Sequence, residues 1–442
     1  MVQIDLCQLT WKEHIAKRKF LYSLIMSWAL VGALLPGIPA VIYVSLTYIA
    51  ILRTRDLTGM LLSIITILIF SDSRAPIFAF AASAKVAMVI LTLLFIISNY
   101  QELEVKRNDI FRYFLPFILF SILATFWSTD AFTAIQKSIS YGAIFFLIPI
   151  IYLNGKKVDS KIGTELVYLF TMMLTIGLVI HLFNPSFTSL AGRYRGLLGN
   201  PNGLGIFLSL ILAVYYSIYS AQLGRNFGTG FRFLFFSVFF ISLFLAGSRT
   251  AIVAILLFFL FNQVRNLPKL GSLLLFIVLI ISYDYLILQL PNFAIFLGIE
   301  EYLRVDTLAE GSGRYVAWTL AWERIQDFFF VGGGFGNTEF VFKSMSNELS
   351  LLGHQGNAHN SYLTIWMDTG LIGIVLFGIG LFRSIMLGVK NSIIALPIIY
   401  SILFSTFFES WLAGSLNPIT SLFLIVLVQL SGSDPNELEK LR

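Results

Sequence analysis

Apolar runs recur from one end of the chain to the other, separated by short polar breaks. About 14 of them reach helical length, near residues 20–34, 38–52, 57–70, 80–99, 113–127, 135–153, 163–183, 203–222, 233–247, 250–264, 271–288, 361–382, 392–409 and 418–431. A membrane-crossing helix needs roughly 17–25 residues, so segment 57–70 reads as a short span or a re-entrant piece. Counts of about 12–14 spans fit the pattern. Runs such as LLLFIVLIISYDYLIL, Leu273 to Leu288, show no polar–apolar alternation, which argues against a transmembrane barrel. Backbone groups in lipid must then be satisfied within helices. The expected fold is all-α, a polytopic transmembrane bundle forming a single integral membrane domain over residues 1–442.

Composition agrees with the pattern. The chain is 57% hydrophobic and 15% aromatic with a mean hydropathy of +0.83, and only 12% of it is charged. Soluble domains carry about 25% charged residues. The basic opening KEHIAKRKF leads into the first apolar run without a small-residue cleavage site, so that run reads as a span and not as a cleaved signal. Cys7 is the single cysteine, which excludes an internal disulfide.

Charge then assigns sides. With the amino terminus in the cytoplasm, alternate loops collect Lys17, Arg18, Arg53, Arg55, Lys156, Lys157, Arg383 and Lys390. In all, 20 of the 30 basic residues fall on that one side, as the positive-inside rule demands. Both termini are therefore expected in the cytoplasm. The net charge of +6 is spread over these loops, which gives no reason to expect a nucleic-acid partner.

The basic residues on the outer side carry more information. Lys85, Arg304, Arg324 and Lys343 are read as partners of outer carboxylates or lipid phosphates. Arg193 and Arg195 lie in AGRYRGLLGNPNGLG, within an outer loop over residues 184–202. Arg249 lies in AGSRTAIVA, a tight outer turn between two spans. Arg314 and His359 belong to a long outer loop over residues 289–360. A loop of that length is expected to fold and to carry function. Within it Tyr315, Trp318, Trp322, Ile325 and Phe329 recur at helical steps, which predicts an amphipathic helix on the outer surface. The following VGGGFGN lacks the Gly-Lys-Ser/Thr of a phosphate loop and reads as a turn.

These outer pieces share one level, that of lipid headgroups. Guanidinium groups bind phosphate through charge-assisted, often bidentate hydrogen bonds, so several arginines at one site suit a diphosphate. His359 is the well-placed general base among them, because imidazole titrates near neutral pH. His354 and His359 stand five residues apart with no third ligand nearby, so no metal site is expected. Asp368, two turns into the span that opens near Ser361, is an ionisable group inside the membrane and a functional candidate for that reason. It could orient His359 or an arginine, or pair with Lys137. Glu409, near an outer end, ranks below it.

Taken in order, GRYRGLLGNPNGLG, AGSRTAIVA, GSGRYVAWTLAWERIQDFFFVGGGFGN and AHNSYLTIWMDTGLIGIVLF resemble the O-antigen ligase and polymerase superfamily, the WaaL and Wzy proteins, over roughly residues 190–380. The resemblance implies a GT-C-like membrane glycosyltransferase in the bacterial inner membrane with its active site facing the periplasm. It implies an undecaprenyl-diphosphate-linked glycan as donor, a glycan or lipid A core as acceptor, membrane lipids as surroundings, and a chain-length regulator as a partner. No cofactor is implied. Carried over residue by residue, His359 matches the catalytic histidine and Arg249 the Ser-Arg-Thr arginine. Arg193 best matches the arginine ahead of the Asn-Pro, with Arg195 as a second candidate. Arg314 fits the Gly-Arg that opens the loop helix, and Asn200, Asn202, Asn360 and Asp368 stand as supporting residues. The polymerase is the preferred reading, on the likeness of the GR…W…GGGFGN block. The ligase is the alternative. A lipid-linked glycan transporter is more remote, since it would need charges along a mid-membrane path.

Overall fold

The computed structural model describes residues 11–105, 108–221, 227–298, 314–351 and 356–432. Cys7, Arg304 and His354 lie outside the described residues. The regular secondary structure of the described residues is helical but for one pair of two-residue strands. In order it forms α1 (Trp11–Leu34), α2 (Ile38–Arg53), α3 (Leu57–Asp72), α4 (Ala81–Ser98), α5 (Asp109–Leu123), α6 (Ala131–Val158) and α7 (Ile162–Phe183). There follow α8 (Pro185–Thr188), β1 (Ser189–Leu190), β2 (Arg193–Tyr194), α9 (Pro201–Ala221), α10 (Thr229–Ala246), α11 (Arg249–Gln263) and α12 (Lys269–Leu297). The last group is α13 (Arg314–Asp327), α14 (Asn337–Ser344), α15 (Ser346–Leu351), α16 (Ser361–Asn391), α17 (Ala395–Phe408) and α18 (Pro418–Ser431).

Each apolar segment read from the sequence falls on a helix. Among the described residues 7 helices are long and apolar enough to cross a membrane, and 6 shorter apolar helices accompany them. Exposed Leu46, Ile97, Phe244 and Phe382 on these helices are what lipid-facing surfaces require. The protein is a multi-pass membrane protein. α12 runs on past Pro291 to Leu297, nine residues beyond the end expected for that segment.

The chain divides into two compact units. The first comprises residues 1–110, 143–248 and 416–442. In it α18 packs along α9, α4 packs on α2 and α3, and α10 packs on α7. Buried Arg18 bonds both Asp56 and Glu165 across α1, α3 and α7, and Lys17 donates to Asp159 at 2.7 Å and Glu165 at 2.9 Å. A buried cation is stable only with its counter-charges in reach.

The second unit comprises residues 111–142 and 249–415. α11, α12 and α17 share a core of Ala254, Phe261, Phe276, Tyr283, Tyr400 and Phe404. A second core joins α13 to α14 and α16 through Ala317, Leu320, Ala321, Ile325, Phe342 and Met367. Thus α13 is a packed helix, and the face it buries is the small-residue face with Ile325. Tyr315 and Trp322 of the predicted aromatic stripe stay 53% and 48% exposed.

α16 is broken, not continuous. Gly370 adopts φ 66° and ψ −173°, and its neighbours' amides turn sideways: Leu371 N donates to Phe329 O at 2.8 Å and Ile372 N to Phe330 O at 3.1 Å. A side chain at Gly370 would run into the Phe330 carbonyl, and one at Gly332 (φ 72°) into the Asp368–Thr369 backbone. The glycine turn after α13 is thus laid directly against the helix break, and the non-helical backbone inside this apolar helix is satisfied by protein.

Candidate functional site

In the second unit the residues converge on His359. Asn360 caps α16, its Oδ1 accepting from Tyr362 N at 2.9 Å and Leu363 N at 3.0 Å. The residue before a cap is free of helical constraint, and here His359 takes φ 45°, a strained conformation for a non-glycine residue. Its backbone N donates to Asn357 Oδ1 at 2.8 Å. The other side of the site is the end of α17. Ser361 Oγ donates to Glu409 O at 2.6 Å, and Asn360 N to Ser410 Oγ at 3.0 Å. These bonds stitch the start of α16 to the end of α17.

The stitching sets Glu409, only 7% exposed, beside the imidazole. Glu409 Oε2 lies 3.1 Å from His359 Nδ1. The other carboxylate oxygen, Oε1, lies 3.6 Å from Arg314 Nη2. Arg314 opens α13, donates from Nη2 to Thr250 Oγ1 at 3.1 Å, and holds its guanidinium carbon 5.5 Å above the Phe408 ring. Thr250 is the residue after Arg249 in the first turn of α11, so Arg314 is tied to the turn that Arg249 begins. A carboxylate against Nδ1 selects the tautomer with the proton on that nitrogen. Nε2 is then the basic atom.

In the first unit Ala191 (φ 50°) and Gly192 (φ 74°) form a tight turn between β1 and β2, as two-residue hairpin loops require. That turn presents Arg193, which donates from Nε and Nη2 to Ala246 O at 2.9 and 2.7 Å and from Nη2 to Gly247 O at 3.1 Å. Its Nη2 also reaches Asn202 Oδ1 at 3.0 Å. These carbonyls end α10, where a cation is favoured. Asn200 Oδ1 accepts from Gly203 N at 2.7 Å at the start of α9. Arg195 is enclosed: it is 6% exposed and donates to Phe187 O, Ser189 O and Leu198 O. Burial, and next the nearby Arg74 charge, lower its pKa, with Asp72 opposing.

Asp368 serves neither His359 nor an arginine in its hydrogen bonds. It accepts from Gly336 N at 2.8 Å, Thr338 N at 2.8 Å and Thr338 Oγ1 at 2.7 Å, fixing the end of the glycine turn. Lys137 pairs with Glu339. The residue that sequence reasoning undervalued is Glu409. One signal was available, since it is the sole charged residue between Ser392 and Ser431.

No curated protein matches the chain. Residues 234–378 match the family model for O-antigen ligase, Wzy_C. The matched stretch contains Arg249, Arg314 and His359, while Arg193, Arg195 and Glu409 lie outside it. With its multiple membrane helices, the chain is a multi-pass membrane protein whose residues 234–378 match the Wzy_C O-antigen ligase domain.

Proposed function

We propose that the protein transfers a glycan from undecaprenyl diphosphate to an acceptor hydroxyl at the outer face of the bacterial inner membrane, as a polymerase of lipid-linked repeat units. The observation that carries this reading is the Glu409–His359 contact with Arg314 on the same carboxylate. His359 Nε2 takes the proton from the acceptor hydroxyl. The oxygen forms its bond to the anomeric carbon while the bond from that carbon to the diphosphate oxygen breaks, with inversion. The electron pair leaves on the undecaprenyl diphosphate. Glu409 stabilises the imidazolium formed in this step and holds the ring in place. Arg249 and Arg314 stabilise the negative charge that develops on the leaving diphosphate. Arg193 belongs to this donor set through its place in the motif. The carbonyls around Arg195 favour a framing role for it, holding the hairpin that carries Arg193. Asn200 and Asn202 support that loop, and Asn360 supports His359 as the cap of α16. Asp368 supports the glycine turn.

Ligation is the second reading, favoured by the description of the matching family. Product length separates the two in cells deleted for the gene. Loss of a polymerase leaves single repeat units on the acceptor. Loss of a ligase leaves long chains on undecaprenyl diphosphate. Unchanged surface glycan and unchanged lipid-linked pools would sink both.

A further inference from the structure

The second unit holds a cleft of about 180 Å³ between the α5–α6 connection and the start of α14. Ser128, Thr129 and Asp130 line one side, and Asn337, Phe340 and Lys343 the other. None of these groups takes part in the His359 site. The floor is rigid: Phe335 packs edge-on against Tyr141 and Phe117 at 5.3 and 6.2 Å between ring centres. The walls are fixed too. Asp130 Oδ1 caps α6 by accepting from Thr133 N at 3.0 Å, and Asp368 holds Gly336 and Thr338.

The chemistry of the lining selects a class of ligand. Three hydroxyls, an amide, two carboxylates and an ammonium surround the space, which gives both donors and acceptors. The Phe340 ring, 50% exposed, presents an apolar face at the rim. The lining sets the carboxylates of Asp130 and Glu339 against the ammonium of Lys343, and Glu339 is also paired with Lys137. A cleft with two carboxylates and one ammonium does not concentrate a phosphate, and a polar one does not suit an acyl chain. A neutral ring with hydroxyls around its edge and C–H bonds on its face satisfies every wall.

We propose that this cleft is a pyranose-binding subsite that holds a non-reacting sugar unit of the substrate glycan. The proposal rests on the glycosyl-transfer reading above. Gly336 of the cleft lining is held by Asp368 of α16, which lies seven residues along that helix from Ser361, roughly 10 Å of axial rise from the end that carries His359. A sugar held there is not the one that reacts. It fixes the register of the chain relative to the base.

The test uses the full-length protein in lipid nanodiscs. The probe is the oligosaccharide released by mild acid from the lipid-linked glycans of the expressing cells. Saturation-transfer NMR reads binding. The wild type is expected to bind it, and the double variant Phe340→Ala/Lys343→Gln to lose about tenfold or more in affinity. Phe340→Trp, which keeps an aromatic face, is expected to bind as the wild type does. His359→Ala is expected to bind normally while losing transfer. Wild-type binding by the double variant, failure of Phe340→Trp to bind, or no binding by the wild type would each overturn the subsite. Retained transfer in His359→Ala would instead overturn the transfer reading. Lost transfer in His359→Ala beside unaffected binding in the double variant overturns the subsite alone.

Discussion

His359 combines a strained backbone, a buried carboxylate at Nδ1 and a position one residue before a helix cap. A general base contributes about 10²–10⁴-fold to rate, so His359→Ala is expected to lose at least that much while the protein still inserts; transfer of labelled repeat units in membranes measures it. In the proposed transfer Glu409, in contact with His359 and Arg314, is a positioning residue. Glu409→Gln is expected to lower kcat by about 100-fold with little change in KM, and Glu409→Asp to recover part of the loss. A variant that changes only the amount of protein in the membrane would reduce Glu409 to a packing role. Arg249→Lys keeps the charge and loses the bidentate fork. It is expected to be strongly impaired, and wild-type turnover would mark Arg249 as an interfacial cation only. The arginines and His359 were legible in the sequence because a charge beside an apolar run is conspicuous. Glu409 was legible only as a lone carboxylate in an apolar stretch, since its weight depends on a residue 50 positions away being brought within 3.1 Å.

At the scale of elements, the helix break at Gly370 and the turn through Gly332 form one device. Three hydrogen bonds to Asp368 close it. Asp368→Ala leaves buried donors unsatisfied, at about 1–3 kcal/mol for each. The variant is expected to unfold at a clearly lower temperature in detergent, and an unchanged Tm would show that Asp368 does not hold the turn. The sequence placed the turn at VGGGFGN from its glycines. It placed α13 from three- and four-residue periodicity, and of that stripe Ile325 is buried and Trp318 and Phe329 pack against the two cores, while Tyr315 and Trp322 stay exposed. The structure buries Ala317, Leu320, Ala321 and Ile325, because small residues allow α13 to approach α16 closely. Aromatic spacing reports where rings lie on a helix, not which face its neighbours cover.

For the whole molecule, the distribution of basic loops predicts orientation. In a variant whose single cysteine is replaced by serine, Ser186→Cys is expected to react with a membrane-impermeant maleimide on intact spheroplasts. Ser160→Cys is expected to react only after lysis. The reverse pattern would invert the chain and remove His359 from the outer face.

The sequence by itself determined that the chain crosses the membrane repeatedly as helices, since runs this long and apolar must satisfy their backbone internally. It also determined which charged residues resist that environment and so stand out. Only the tertiary structure decided which of them share a carboxylate, where α16 breaks, and what Asp368 holds. Those outcomes depend on helices distant in sequence meeting side by side, and hydrophobic pattern is blind to the partner that each helix meets.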